Sequence, residues 1–422
     1  MTSQTLIIGG GAAGFFAAIR RAECFPTEQI TILERGKSVL EKVRISGGGR
    51  CNVTHGCWEP KELVKYYPRG GRELLGPFHQ FACGDTMGWF SDRGVELKIE
   101  EDGRVFPVSD SSQSIIDVLW ETAKRRGVRV MTKARVTQIL APSPDLASRN
   151  PPGLSPATAP ENKPSGRWTI RTDAEVFYAD RLVVTTGSNP AVWQMLEDLG
   201  HRVVPPVPSL FAFDTKDTRL RDLSGVSLPW AQVGIAGQAL RAEGPLLITH
   251  RGLSGPAILR LSAWGARELA PLNHQFALDV NWLARRPSDV ETQLDAWRLE
   301  EAKRQINARA YFELPLRLWK SLVAAAGIPE EQQWAQLNKG QRTALTEQLT
   351  AAQFRITGKS MNKDEFTTAG GVDLREIDFK SFRSKIHPTL FLAGEVLDID
   401  AITGGFNFQA AWTGGWLIGG GG

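Results

Sequence analysis

The chain has 422 residues, 42% of them hydrophobic and 23% charged, with a formal net charge of +4. That length exceeds one ordinary core, so two or three domains are expected. The mild basic excess contains no basic run and reads as a solvated surface, so no nucleic acid partner is expected.

Residues 4–9, 12–24 and 29–34 read as strand, helix and strand. Between the first two lies Gly9-Gly10-Gly11-Ala12-Ala13-Gly14, a Gly-x-Gly-x-x-Gly turn. Gly9 permits the tight turn, Gly11 lets backbone approach a pyrophosphate, and Gly14 lets the helix pack closely on the strand. Ala12 and Ala13 open a helix whose free N–H groups favour phosphate. Glu34 lies about 20 residues beyond the last glycine, where an acid accepts a ribose hydroxyl, and Arg35 adjoins it. The unit reads as a dinucleotide site. Because the first apolar run belongs to this motif, no signal peptide is expected.

Lys42 to Asn52 reads as a Gly-rich basic loop. Gly47, Gly48 and Gly49 bare the backbone for a flat ring, and Lys42, Arg44 and Arg50 offer charge to a diphosphate or a ring edge. Cys51 has two readings, a redox thiol activated by positive neighbours or a small residue packed beside a cofactor. The four cysteines form no Cys-x-x-Cys pair, which favours the second reading and a reducing, cytoplasmic setting over a disulfide or zinc framework.

Residues 61–93 read as mainly helical, and Leu97 to Pro107 as a hairpin turning at Asp102-Gly103. A helix over 111–126 is capped by Ser111 or Ser112. Strands follow from Val128 to Leu140, including Val136. Residues 141–166, rich in Pro, Ser and Ala, read as a long mobile loop at a hairpin tip, with strands resuming at 168–171 and 176–178. Leu182 to Gly187 reads as a buried strand of the parallel sheet, its terminal Gly187 allowing close approach.

From about residue 190 the pattern changes. Short β runs reach about 282, and helices are predicted over 290–308, 315–326 and 340–353. His250-Arg251-Gly252-Leu253-Ser254-Gly255-Pro256 leads into an apolar helix. It reads equally as the lining of a substrate or nicotinamide cleft and as a plain capped helix. A strand then ends on Gly394-Glu395, and Gly404-Gly405-Phe406-Asn407 opens a closing helix. In flavoproteins with a leading glycine motif, such an acid bonds the ribityl side. The helix start faces the pyrimidine edge, where N–H groups stabilise the negative charge of the reduced ring. No second glycine motif follows, so no separate NADPH domain is expected. No metal-ligand spacing, Gly-x-Ser-x-Gly elbow or bilayer-spanning stretch is present.

The fold class expected is α/β. It is one nucleotide-binding domain interrupted by an inserted β-plus-helical region. Boundaries are placed at 1–190 for the first part of the FAD-binding domain, 191–286 for the β-rich insert, 287–353 for the helical subdomain and 354–422 for the return.

The runs Ser46-Gly47-Gly48-Gly49-Arg50-Cys51-Asn52, Gly103-Arg104-Val105-Phe106-Pro107, Gly252-Leu253-Ser254-Gly255-Pro256, Thr368-Ala369-Gly370-Gly371-Val372 and Gly394-Glu395-Val396-Leu397-Asp398 with Thr403-Gly404-Gly405-Phe406-Asn407 occur in the order of one family. The chain resembles the BaiN/YhiN-like flavoproteins along its whole length. The resemblance implies a glutathione-reductase-like Rossmann FAD-binding domain with an inserted β-barrel-like plus small helical region. The resemblance implies FAD, held by Gly9, Gly11, Ala13, Gly14, Glu34, Lys42, Arg50, Cys51, Gly187, Glu395, Gly405, Phe406 and Asn407, with the Val136 backbone at adenine. It implies an FAD-dependent oxidoreductase passing hydride to or from flavin N5, with a small organic substrate and NAD(P)H or oxygen as redox partner. An amine or amino-ketone oxidase, an NAD(P)H-dependent reductase of an enone or steroid-like substrate, and a flavin-dependent RNA-modifying or RNA-binding protein are the alternatives. The acid or base, the substrate and the oligomeric state are left open.

Overall fold

A computed structural model describes residues 3–142, 166–360 and 367–421. Of the stretch read as a loop over 141–166, residues 143–165 lie outside the described residues. The chain forms two compact units, divided between Pro206 and Val207 and between Phe366 and Thr367.

The first unit is built on β1 (Gln4–Ile8), α1 (Ala12–Cys24), β2 (Gln29–Leu33), α2 (Glu41–Ile45), β3 (Thr54–His55), β4 (Arg129–Met131), β5 (Arg181–Val184), β6 (Thr367–Val372), β7 (Leu390–Leu392) and α3 (Phe406–Gly420). Strands β7-β5-β1-β2-β4 run parallel in that order, extended beyond β7 by two short antiparallel strands, Arg383–Ser384 and Ile377–Asp378. β1, β5 and β7 are mostly apolar and buried on both faces, as a parallel sheet covered by helices requires. Helix α3 is apolar on nearly every side and almost wholly buried, the signature of a core helix. It packs along α1 because Gly415 and Gly419 carry no side chain. A Cβ on Gly415 would lie 2.5 Å from the Ala13 carbonyl oxygen, and one on Gly419 would lie 2.8 Å from that of Ala17.

In the second unit seven antiparallel strands form one sheet, ordered Ala352–Ile356, Phe276–Asn281, Ser227–Ile235, Arg241–Ile248, Gly252–Ser254, Ala212–Asp214, Gly358–Ser360. The two edge strands are consecutive in the chain, joined through Thr357, so the sheet curls round on itself as the barrel-like reading expects. Helices Pro287–Glu300, Leu316–Ala325 and Lys339–Thr350 share its core around Trp282, Trp319 and Trp334.

Several local expectations are corrected. The front of the stretch read as a loop from Lys42 is helical, since α2 covers Glu41–Ile45. Its single inward anchor, Val43, gives too short a pattern to read. Pro190–Asp198 is a helix, capped by Asn189 and started by Pro190. Its Trp193 indole donates to the Val396 carbonyl at 2.9 Å, which ties it to the first unit and moves the boundary beyond 190. The return lies beyond 354 because Ala352–Ile356 pairs with Phe276–Asn281. The helix expected over 290–308 ends at Glu300. The chain turns at Glu301, whose carboxylate accepts from the Tyr311 hydroxyl at 2.6 Å.

Candidate functional site

The parallel strands end in step. Ile8 pairs with Leu33 and Val184, and Val184 pairs with Leu392. Four loops therefore leave one edge of the sheet together, starting at Gly9, Glu34, Thr185 and Ala393. The carboxyl edge of an open parallel sheet is where such folds receive ligands.

In the first loop Gly9 adopts φ +110, and a Cβ on it would lie 2.5 Å from the Thr185 carbonyl oxygen. A Cβ on Gly14 would collide with the Gly9 carbonyl, whereas one on Gly11 meets nothing within 4 Å. Gly9 and Gly14 thus serve packing, and Gly11, with Ala12 and Ala13 behind it, opens the start of α1 onto free space. The Glu34 carboxylate accepts from the Gly10 N–H at 2.9 Å and the Gly36 N–H at 2.7 Å. Each oxygen keeps a lone pair for a further donor. The Ala134 N–H donates to the Glu34 carbonyl at 2.8 Å, which brings the buried start of the Val136–Leu140 strand beside the acid. Arg35 is exposed.

Lys42, Gly187 and Glu395 meet although they are far apart in sequence. The Lys42 ammonium bonds a Glu395 oxygen, and a Cβ on Gly187 would lie 3.8 Å from both groups. The lysine side chain is 57% exposed and the carboxylate 17%, so the pair faces outward from the sheet edge. Gly394 adjoins Ala13, a Cβ there lying 3.7 Å from the alanine Cβ. The Thr186 hydroxyl beside Gly187 is buried and lacks a hydrogen-bond partner among the described residues.

The glycine loop meets the start of α3. Gly48 and Gly49 face open space, while Gly47 packs on Phe106. Only an amide oxygen can accept from the Gly405 N–H and only an amide N–H can donate to the Thr54 carbonyl, so the Asn52 amide is oriented to do both, each at 3.0 Å. Gly405 adopts φ +87, and a Cβ there would lie 2.5 Å from the Thr54 carbonyl oxygen. Gly404 leaves room for the Phe406 ring. That ring stacks on Tyr66 at 4.3 Å and on His55 at 4.6 Å. The Asn407 amide bonds Ala401 in both directions, at 2.9 and 3.2 Å. Both side chains therefore fix the helix start, and the N–H groups of its first turn are what it offers a ligand.

Two expected contacts are engaged within the protein. Arg50 pairs with Glu100 at 2.7 Å and Asp110 at 3.4 Å, and lies 3.9 Å over Phe106. Cys51 is fully buried, and burial pushes its thiol up to about 12. This sets aside the redox-thiol reading, since the thiolate is the reactive form. In the second unit Gly252–Ser254 is an inner strand, and Arg251 pairs with Asp214. The sequence reading had assigned no role to Asn52, His55, Tyr66 or Tyr67. The Tyr67 hydroxyl donates to the Phe406 carbonyl at 2.6 Å. Only folding shows these partners together, because more than 300 residues separate them in the chain.

The free space at Gly11, Gly48 and Gly49, the orphaned Thr186 hydroxyl, the Glu34 carboxylate and the open start of α3 fit the parts of FAD. Among the described residues no His, Cys, Asp or Glu cluster could hold a metal, and no helix is long and apolar enough to cross a membrane.

A family model described as HI0933-like protein Rossmann domain matches residues 3–421. The chain is 26% identical over 422 residues to a ribosomal RNA dihydrouridine synthase of Haemophilus influenzae, covering 97% of this chain and 96% of the relative. It is likewise 26% identical over 428 residues to a 3-dehydro-bile acid delta(4,6)-reductase of Clostridium scindens, covering 98% and 97%. Among solved structures it is similar to a 3-ketosteroid-delta4-(5alpha)-dehydrogenase from Rhodococcus jostii, with TM-score 0.49 and 15% identity over 99% of this chain and 96% of that one.

Proposed function

We propose a reaction for a chain that belongs to the HI0933-like Rossmann family and is an FAD-dependent oxidoreductase: reduction of a carbon–carbon double bond conjugated to a carbonyl. The two relatives differ by name in the molecule they act on, a ribosomal RNA and a bile acid. Their chemistry is shared. A uracil ring and a 3-oxo steroid with delta(4,6) unsaturation each present an alkene next to a carbonyl, and each reduction adds two hydrogens.

The observation that carries the reading is the start of α3, with Gly405 held by Asn52 against the glycine loop. Its N–H groups and partial positive charge suit the ring edge that becomes negative on reduction. FAD, when bound and first reduced by a donor such as NAD(P)H, would supply a hydride from N5. The Gly11 backbone and the start of α1 would hold its pyrophosphate, Glu34 its adenosine ribose, Lys42 and Glu395 its ribityl side, and α3 its pyrimidine edge.

The test is anaerobic stopped-flow absorbance of the FAD-loaded protein. NADH or NADPH should bleach the flavin, and either cyclohex-2-enone or unmodified ribosomal RNA should restore its colour, with two hydrogens gained by the product in mass spectrometry. Recovery with RNA alone places the double bond in a uracil base and overturns the expectation of no nucleic acid partner. Recovery with the enone alone places it in a small molecule. Bleaching by primary amines, with recovery by oxygen only, would replace the proposal with the oxidase alternative.

A further inference from the structure

The loop from Glu395 to Gly405 joins two ends of the site, and it is gripped by a segment with no role assigned so far. Arg69 lays its guanidinium side-on against Asp400, Nε to one carboxylate oxygen and Nη2 to the other. The side chains are 14% and 0% exposed, and the two backbones form an antiparallel bridge. Next to the pair, the Ile402 N–H donates to the Tyr66 carbonyl at 3.0 Å. Gly70, at φ +80, leaves room for Ile399, whose Cγ1 would lie 2.5 Å from a Cβ there. From the other side β6 holds the same loop. The Val372 N–H donates to Val396 at 2.9 Å, and the Asp398 N–H donates to Val372 at 3.1 Å.

A buried ion pair is a weak source of stability, since desolvation offsets most of its attraction. What a bidentate guanidinium–carboxylate fork supplies is geometry, because it fixes distance and orientation together where an apolar contact can slide. Here the fork sits midway along a loop that ends in two glycines, which are otherwise free to take many conformations.

We infer that Arg69 is a positioning residue: its fork to Asp400 sets the separation of Glu395 from Gly405, and with it the fit of the ribityl and pyrimidine ends of the flavin. The inference rests on the FAD reading above. It predicts a defect confined to one end of the dinucleotide. ADP reports on the Gly11 and Glu34 end alone, whereas FAD reports on both.

The test compares the wild type with Arg69→Lys and with the double variant Arg69→Met/Asp400→Leu. It measures dissociation constants for FAD and ADP, and the flavin midpoint potential. Lysine keeps the charge and loses the fork. The apolar pair removes both charges, and substitutions of this kind are often neutral in stability, so it decides the matter if the lysine variant does not fold. The expected result is ADP affinity within about twofold of wild type and FAD affinity at least about tenfold weaker. The ratio of affinities for reduced and oxidised FAD should fall about tenfold, which is ~30 mV for a two-electron couple. Equal losses for FAD and ADP would make the pair a general structural brace and overturn the inference, as would unchanged FAD affinity and potential in the double variant. A wild type that binds ADP and not FAD would instead overturn the FAD reading itself.

Discussion

Two glycines three residues apart have opposite jobs, and a single methyl group separates them. A Cβ on Gly14 collides with the Gly9 carbonyl and lies 2.8 Å from the Thr185 hydroxyl. Gly14→Ala should therefore destabilise the apoprotein by about 1–3 kcal/mol, the usual cost of overpacking. A Cβ on Gly11 meets nothing, and the residue's φ of −95 suits alanine. Gly11→Ala should leave apoprotein stability within about 1 kcal/mol, the range of an N-cap change, yet weaken FAD at least tenfold by occupying phosphate space. Thermal unfolding without FAD, set beside FAD titration, checks both variants. A Gly11→Ala protein that binds FAD normally would remove the pyrophosphate from this turn. Lys42 and Glu395 are 353 residues apart, and each could be singled out because it lies in a recognisable run. Arg69 and Asp400 are 331 apart and lie in no such run, so their pairing could be found only from the fold. The acids that engage Arg50, Glu100 and Asp110, likewise carry no sign of that partnership in the sequence.

At the scale of elements, local pattern announced those with a clear period or punctuation and missed those fixed by distant packing. β1, α1 and β2 follow their apolar spacing and glycine turn closely. α2 is a single turn with one buried anchor, and the helix after Asn189 was hidden by the proline-rich stretch beyond it. The short antiparallel strands beyond β7 are another such case, and a buried histidine stitches them to the segment after that helix. The His201 Nδ1 lies 2.8 Å from a Glu376 oxygen, and its Nε2 lies 3.0 Å from the Ser384 hydroxyl. The Ser384 oxygen accepts from the N–H groups of Ile386 at 3.1 Å and His387 at 2.9 Å. Its own proton is thus left for His201, which suits a neutral ring donating to Glu376. Burial lowers the His201 pKa, against the opposing pull of Glu376. A folded pKa below the unfolded value of about 6.5 means that the unfolded chain takes the proton first as pH falls. This contribution is complete above that pH and is lost as pH drops below it. His201→Gln should cost about 1–3 kcal/mol at pH 8 through its lost hydrogen bonds. The gap to wild type in urea unfolding should narrow as the pH falls below about 6.5. A gap constant across that range would show that the ring does not titrate in this way.

For the whole molecule, the second unit is one continuous segment in which seven strands pair with each other in a single sheet. That arrangement was hard to read from sequence. The strand order joins Ala352–Ile356 to Phe276–Asn281 and Phe276–Asn281 to Ser227–Ile235, pairings between distant segments that no turn residue signals. The consequence is testable. A segment with its own sheet, capped helices and core has what a domain requires to fold alone. Its core holds the fully buried Trp282, Trp319 and Trp334. The Trp334 indole donates to the Tyr311 hydroxyl at 2.8 Å, and the Trp319 indole donates to the Ile306 carbonyl at 3.0 Å. These rings report packing directly, because their emission is blue-shifted only while water is excluded. Residues 207–366 expressed alone should show sharp guanidinium unfolding that coincides by tryptophan emission and circular dichroism, the mark of two-state behaviour. They should bind no FAD, since Gly11, Glu34, Lys42, Glu395 and Gly405 all lie outside the segment. Trp334→Phe keeps an aromatic ring but loses the pyrrole half of the indole and its hydrogen bond, leaving the Tyr311 hydroxyl bonded to Glu301. It should lower stability by about 1–3 kcal/mol, from the lost hydrogen bond and the space left in the core, without broadening the transition. A fragment with native-like circular dichroism, exposed tryptophan emission and no cooperative transition would be a molten globule. Its core would then depend on the remainder of the chain, and the segment would not be a folding domain.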